Sequence, residues 1–539
     1  VVGSGAAGLR AALEARSRNV DVTLVTKHKL GSGCSAVSSC GHAILVPEEL
    51  GGDPKDTVDA FYEDTIAGGV YISDRRLVKI LVRESTQRVL GLERLGVRFH
   101  RTRGRLSLNP GSGDHSYARN VRCEPRFFLP PLINAVRASG VRICERIFVT
   151  DLCTHDGIVD GSICLDTDKG SIIIFEAKSI VLATGGAGQL WLTSRVPRDI
   201  TGDGYAIAYR AGCELIDMEF TQFYPWRLVW PDLGRDMPIQ PATFFYGGRL
   251  RNAEGEFFME RYDNVRKDST TRDVAARAIY SEVKAGRGVR GGAVVDISNM
   301  QSELFEQTNQ NLCNALRTQG YDPRSVEMVV FPATHFSMGG IMVNEWTETA
   351  IEGLYVAGEA MGGIHGANRL ACNALTACQV FGARAGIRGA ERAKNQSYWN
   401  PVSEDLGKSL IASKMGKGAV QPKMLADRLR ATFEEHVYVI RTGEGLNQVI
   451  DTIKAMQEDL PYCRGSSAAE IAMIYEVANM LQIGEVIARS ALLREESRGA
   501  HYRQDYPNRD DHKWLRTIIT KLDGNKPRLT TRLSSCAEA

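Results

Sequence analysis

Nowhere in the 539 residues do two cysteines form a CxxC pair, and nowhere do cysteine and histidine cluster at metal-ligand spacing. Neither a zinc site nor an iron–sulfur cluster is written into the chain, and no metal is expected. The twelve cysteines are scattered, the pattern of reduced thiols in a cytoplasmic compartment. An excess of one charge is missing too: 66 lysines and arginines face 64 aspartates and glutamates, a formal charge of +2. That balance gives no electrostatic reason to expect a nucleic-acid partner. There is no run of roughly 18 uncharged apolar residues, the length a membrane helix needs. The longest apolar runs, such as 179–183, are strand-sized, so no membrane span is expected. No unit recurs at a fixed period. An initiator methionine is also absent: the chain opens on Val1-Val2-Gly3, the pattern of a buried strand's end, and any segment before it is out of view.

What is present begins with glycine. Val1-Val2-Gly3-Ser4-Gly5-Ala6-Ala7-Gly8 runs into apolar Leu9, Ala12 and Leu13, then into Val20-Asp21-Val22-Thr23-Leu24-Val25. Strand, glycine turn, helix and second strand open a dinucleotide-binding βαβ unit. In Gly3-x-Gly5-x-x-Gly8 the first glycine permits the tight turn, the second lets backbone approach a pyrophosphate, and the third brings helix onto strand. The phosphates then sit at the helix N-terminus, where free N–H groups and the dipole favour negative charge. After the second strand, where an acidic residue would bind an NAD ribose, the chain has Thr26-Lys27. Thr26 can hydrogen-bond a ribose, but the exchange disfavours NAD. Strand clusters at 179–186 and 353–359 also end on glycine, so the nucleotide domain is discontinuous. The residues between them carry mixed helix and strand signals, and those after about 393 carry helical periodicity.

Ala183-Thr184-Gly185-Gly186, Thr201-Gly202-Asp203-Gly204 and Gly353-Leu354-Tyr355-Val356-Ala357-Gly358-Glu359 resemble the successive FAD contacts of the succinate dehydrogenase, fumarate reductase and L-aspartate oxidase family. The resemblance continues through His335-Phe336-Ser337-Met338-Gly339-Gly340, Gly366-Ala367-Asn368-Arg369-Leu370 and Ser497-Arg498-Gly499-Ala500-His501-Tyr502-Arg503-Gln504-Asp505-Tyr506-Pro507. It implies an α/β fold: a Rossmann-like FAD-binding domain at 1–223 and 334–392, an inserted α+β capping domain at 224–333, and a C-terminal helical domain at 393–539. It also implies an FAD site drawn from Gly3, Gly5, Ala6, Gly8, Thr26, Lys27, Cys34, Ser35, Cys40, Gly41, Ala183, Thr184, Gly185, Asp203, Gly358, Glu359, Arg369, Asn373, Ala374 and Leu375. By this analogy Glu359 holds the ribose of the adenosine half, and Ala371-Cys372-Asn373-Ala374-Leu375 faces the flavin pyrimidine ring from a helix N-terminus. The stretch from Gly33 to Gly41 matches a loop that carries a flavin-bonded histidine in membrane-bound members. Cys34 stands at that position, so the FAD is expected to be non-covalent.

Hydride transfer between flavin N5 and a carbon beside a carboxylate needs a cationic clamp for the acid and a proton donor or acceptor on the opposite face. By resemblance, Arg369 and His335 bind one carboxylate and Arg272 passes the proton. Arginine is an unusual acid, so that role demands a shielded site and a relay. Two departures bear on the substrate. Tyr224 stands where fumarate and succinate enzymes have a histidine, and the stretch Gln240-Pro241-Ala242-Thr243-Phe244-Phe245-Tyr246-Gly247-Gly248 matches the region where they have a Thr-Glu pair for the second carboxylate. With Tyr224, Gln240, Phe244 and Phe245 as the distal lining, a buried second carboxylate goes unpaired at a cost of several kcal/mol, and an apolar or ring substituent fits better. Tyr224 also resembles the urocanate reductase branch.

Two substrate readings therefore stand side by side: an acrylate with a non-carboxylate tail, and an ordinary fumarate, succinate or L-aspartate oxidoreductase. Adenylylsulfate reductase is a disfavoured relative, given His335, Arg272 and Arg369. A non-catalytic flavin-binding electron-transfer or assembly subunit is the reading of another class. Having no cluster ligands, the chain is expected to exchange electrons with a partner, and relatives with this tail commonly dock an iron–sulfur subunit. Such a complex would place it peripherally at a membrane.

Overall fold

A computed structural model describes residues 1–38, 40–109, 115–396, 400–403, 405, 407, 409 and 412–537. The first eight residues do what their glycine spacing predicts. Val2 lies between Val25 and Leu182 in parallel bridges, and the flanking strands extend the sheet outward. Thr23–Thr26 pairs in parallel with Arg142–Glu145, and Ile180–Leu182 pairs in parallel with Leu354–Val356. The inner strands are short and largely buried, as expected of a parallel sheet covered on both faces, while the edge strand Arg142–Glu145 is partly exposed. The helix Ala6–Arg16 lies on the long helix Asn373–Asn395. Its small residues Ala7 and Ala11 meet Gly382 and Gly386, which lets the two backbones approach closely. A β-meander of Ile147–His155, Ile158–Asp166 and Ile172–Glu176 is inserted before the Ile180–Leu182 strand.

The cap is built on a four-stranded antiparallel sheet in the order Thr221–Trp230, Met328–Ser337, Ala293–Asp296, Arg249–Arg251. Its two longest strands run from the nucleotide domain into the cap, so the expected boundaries at 223/224 and 333/334 fall inside strands. The helix Arg272–Lys284 packs on this sheet and carries Arg272 at its first position. Inside the cap, Glu282 accepts hydrogen bonds from Arg287 Nε (2.8 Å), Asn252 Nδ2 (2.9 Å), Tyr262 Oη (2.8 Å) and Arg261 Nη2 (2.9 Å). Burial alone would raise its pKa, but these donors outweigh it and hold the carboxyl at about 2.

The sign of the linkage follows from this depression. The contribution of Glu282 is fully present above its unfolded pKa near 4.5 and disappears as pH falls toward 2, about 3 kcal/mol in all. Acid titration of the FAD-loaded protein, followed by near-ultraviolet circular dichroism, is expected to show the cap loosening between pH 4.5 and 2. In Glu282→Gln that step should be missing.

The expected helical C-terminal unit is present as Pro422–His436, Gly443–Asp459 and Ala468–Leu493. The last of these is long and apolar enough to cross a membrane by length and composition. It is instead largely buried, packed against the other two and against the helix Asp203–Arg210. The expectation of helix throughout 393–539 fails at the end of the chain. Arg516–Asp523 and Lys526–Leu533 form a β-hairpin that joins Leu215–Ile216 and Gly340–Ile341 in a four-stranded sheet. Alternation in Arg516-Thr517-Ile518-Ile519-Thr520 and the turn residues Asp523-Gly524-Asn525 carry that hairpin's signal.

Candidate active site

The glycine cradle is shaped by close contact. Gly3 has φ +101°, and a Cβ there would lie 2.2 Å from the Ala183 carbonyl oxygen; one on Gly8 would lie 1.9 Å from the Gly3 oxygen. Neither position has room for a side chain. Strand ends, turn and helix N-terminus thus converge within one small volume, with the Ala6 N–H donating to Ser35 Oγ at 3.0 Å and Ser4 Oγ 2.9 Å from Thr26 Oγ1. Around this volume, buried Thr184 Oγ1 and Asn373 Oδ1 have no hydrogen-bond partner. Buried polar atoms are normally paired, so a hydroxyl able to donate to a phosphate and an amide oxygen able to accept from a ligand hydroxyl or N–H fit a dinucleotide. Ala183, Thr184, Gly185 and Gly358 border the same region. Asn373, Ala374 and Leu375 open the helix behind Cys372, whose φ is +65°.

Several of the expected FAD residues also contact one another or the protein core. Lys27 Nζ binds Asp203 and Glu476, each at 2.8 Å. Burial disfavours its charge, but those two carboxylates more than compensate and raise its pKa. Lys27 and Asp203 therefore neutralise one another and tie the second strand to the helix Ala468–Leu493. Cys40 is 1% exposed and turns into the core, with Cys123 Sγ 3.9 Å from its carbonyl; Gly41, the next residue, stays on the flavin loop. Burial, and then Glu359, keeps the Cys34 thiol well above its ordinary pKa. A protonated thiol is a poor nucleophile, in line with FAD held without a covalent bond. Glu359 accepts from the Ser337 N–H at 3.0 Å. Burial raises its carboxyl to about 7, against the opposing pull of that N–H and of Arg369. Its neighbours Cys34, Ser337 and Arg369 belong to the flavin loop and the substrate region.

Arg272, His335 and Arg369 come together, and a residue the sequence reading did not single out joins two of them. Gln222 Oε1 accepts from Arg369 Nη2 at 2.9 Å and from Arg272 Nη1 at 3.1 Å. Its Nε2 donates to Asn368 Oδ1 (2.9 Å) and to the Arg369 carbonyl (2.8 Å). Two guanidiniums on one neutral amide oxygen place their nearest nitrogens no more than about 6 Å apart, a repulsion of about 3 kcal/mol at an effective dielectric of ~20. An anionic ligand would offset it. Burial, then Arg369, Arg195 and Arg272, push the His335 pKa well below its ordinary value, so His335 is a neutral imidazole with one N–H to donate. His365 and His501 are structural. His365 is buried edge-on to Phe336, and burial followed by Arg369 holds its pKa at about 3. His501 lies 3.0 Å from Arg441 Nη1.

Tyr224 sits among cations. Its ring is 5.3 Å from His335, with the Arg195 guanidinium at 4.4 Å and that of Arg272 at 5.6 Å, and its hydroxyl donates to the Ile239 carbonyl at 2.7 Å. The distal lining departs from expectation at two places. Phe245 is 50% exposed and turns away from the site. Phe244 is stacked on Trp226 at 4.9 Å in the cap core. In their place stands Arg122, on the short strand Asn120–Arg122 opposite Gly41, with Nη1 donating to Gln240 Oε1 at 3.1 Å. Among the described residues neither Arg122 nor Arg272 has a carboxylate within salt-bridge distance, whereas Arg195 is paired with Asp236 at 2.8 Å. Nothing local marks Arg122 in the sequence; only the pairing of Gly41 with Arg122 brings it to the site. Gln222, by contrast, carries a local signal that went unread: it is the polar residue two before Tyr224 on the strand Thr221–Trp230.

The terminal motif acts through this loop. Ala500 N–H donates to the Ala367 carbonyl at 2.9 Å. Behind it, buried Arg494 binds Glu219 (2.7 Å) and Glu496 (3.0 Å), and Arg498 binds Glu496 (2.6 Å). The 497–507 stretch thus buttresses the Gly366–Arg369 segment from behind and leaves the chemistry to others.

Comparison with known proteins agrees with this geometry. Residues 1–375 match the model of an FAD binding domain, and residues 426–536 match that of the fumarate reductase flavoprotein C-terminus. An uncharacterized FAD-dependent oxidoreductase of Methanocaldococcus jannaschii is 37% identical over 527 residues, covering 97% of this chain and 95% of that one. One subunit of the fumarate reductase (CoM/CoB) of Methanothermobacter marburgensis is 35% identical over 532 residues, 96% of each chain. Among solved structures, Mycobacterium smegmatis Sdh1 in complex with UQ1 superposes with a TM-score of 0.86 at 31% identity, covering 98% of this chain and 92% of that one.

Proposed function

Since this chain belongs to the FAD-dependent flavoprotein family of succinate dehydrogenase, fumarate reductase and L-aspartate oxidase, we propose that it interconverts the C=C and CH–CH forms of a small dicarboxylate of the fumarate–succinate type. It is an FAD-dependent oxidoreductase, and the choice of substrate is what we add. The observation that carries it is Arg122, a guanidinium without a carboxylate partner among the described residues, held on Gln240 at 3.1 Å and opposite Gly41 of the flavin loop. The acrylate with an apolar tail rested on an unpaired second carboxylate, and Arg122 supplies the missing pair. An apolar tail would instead leave a half-buried cation without an anion, a cost of a few kcal/mol.

When bound, FAD supplies the hydride acceptor or donor. The chain's own residues do the rest. Arg369 and the neutral imidazole of His335 hold one carboxylate through charge-assisted hydrogen bonds. Arg122 and Gln240 hold the other, so the molecule is fixed at both ends and its central carbons are oriented. Arg272, buried and gripped by Gln222, moves the proton at its guanidinium nitrogen. Its Nε is buried without a partner, which leaves a donor uncommitted inside the site. Tyr224 closes the wall above the guanidiniums, and its π face favours their charge. Electrons leave or arrive through a separate redox partner, for which an iron–sulfur protein is the proposed class; its co-purification with the untagged protein tests that assignment.

The substrate assignment is tested with the FAD-loaded protein, reduced viologen and three acids. Fumarate is expected to turn over at least about tenfold faster than urocanate or cinnamate. Turnover of the ring-bearing acids with fumarate left untouched would overturn it.

A further inference from the structure

A second cleft, of about 560 Å³, lies between the cap helix Arg272–Lys284 and the C-terminal unit near His436, Thr442 and Tyr502. Its volume is in the range of small-molecule sites and its place, between two domains, is where such sites concentrate. From the helix come Arg277, Tyr280, Ser281 and Lys284, spaced three, four and seven residues apart and so on one face. The Arg277 guanidinium lies 4.8 Å from the Tyr502 ring, and the Lys284 ammonium 5.3 Å from the Tyr280 ring. Three nearby cap cations are ion-paired: Arg261 and Arg287 share Glu282, and Lys267 binds Glu260. Among the described residues Arg277 and Lys284 have none within salt-bridge distance. Against Arg277 and Lys284 the wall sets one carboxylate, Glu435, so the lining carries a formal charge of one positive unit.

The cleft is separate from the substrate site. None of Arg122, Gln222, Arg272, His335 and Arg369 lines the cleft, and the void beside it at Phe223 and Asp273 is only about 10 Å³, room for about one water. We propose that the cleft is a second binding site, for a small organic anion whose carboxylate or phosphate pairs with Arg277 and Lys284 and whose carbon body lies against Tyr280 and Tyr502. An occupant bridges the C-terminal unit to the helix that begins at Arg272, and so bears on how firmly that residue is placed. The inference does not depend on which acid the first site takes.

Calorimetric titration of the FAD-loaded protein with citrate and with ADP tests it, one probe for each oxyanion source. Saturable binding of at least one probe is expected below about 10 mM. Lys284→Glu and Arg277→Gln should each weaken that binding at least ~10-fold, with FAD content and turnover unchanged. Binding should persist in Arg369→Lys, which separates the cleft from the substrate site. No saturable binding of either probe, binding indifferent to both cleft substitutions, or binding lost in Arg369→Lys would each overturn the proposal.

Discussion

Arg272→Ala is expected to lower kcat by at least ~10³-fold while FAD remains bound at the wild-type level. Positioned proton transfer alone is worth about 10²–10⁴-fold, and Arg272 also adds positive charge where negative charge develops in the transition state. The residue is not a structural prop. It stands on the first turn of its helix, its one hydrogen-bonded nitrogen rests on Gln222, and its Nε has no partner. Loss of the side chain also relieves the repulsion between Arg272 and Arg369, so the folded protein should be no less stable. Steady-state rates with reduced viologen, beside the visible flavin spectrum, separate these effects. Turnover within about tenfold of wild type, with a full complement of FAD, would remove Arg272 from the proton path.

The second large effect is expected at Arg122. Truncating one partner of a buried, hydrogen-bonded charge pair costs about 2–5 kcal/mol, so Arg122→Leu should reduce kcat/KM for fumarate by roughly 30- to 10³-fold or more. The loss should fall mainly on KM, because Arg122 binds a carboxylate that does not react. For a monocarboxylic acrylate, which never engages Arg122, kcat/KM should stay level or rise. A preference between the two acids unchanged by the substitution would falsify the two-carboxylate reading and return the distal wall to an apolar role.

The parts legible in the sequence were those whose chemistry is local. Gly3, Gly5 and Gly8 fix a turn that no other residue can make, and Arg369, His335 and Arg272 each lie inside a recognisable local pattern. What escaped depends on distant pairing. Arg122 reaches the site because Asn120–Arg122 pairs with Gly41–Ala43, across a separation of some eighty residues that no local pattern reports. Phe245 was expected in the pocket because it adjoins Phe244, but the helix Ala242–Phe245 points consecutive residues in different directions, so one is buried and its neighbour exposed. Lys27 and Asp203, both expected at the cofactor, are also ion-paired, with Glu476 from far along the chain packed beside them, a pairing that no local pattern reports. The terminal hairpin was hidden by the strong helical periodicity before it.

The parallel sheet beneath the dinucleotide has a further consequence, for the order in which the protein is made. Val1–Gly3 lies between strands at 23–26 and 180–182, and the next strand outward is 354–356. The hairpin that closes the neighbouring sheet ends at Leu533. A ribosome that has translated only the first third of the chain has therefore exposed the phosphate-binding turn without the wall that supports it. Capture of FAD must therefore wait at least until residues 354–356 have been made, long after the turn itself.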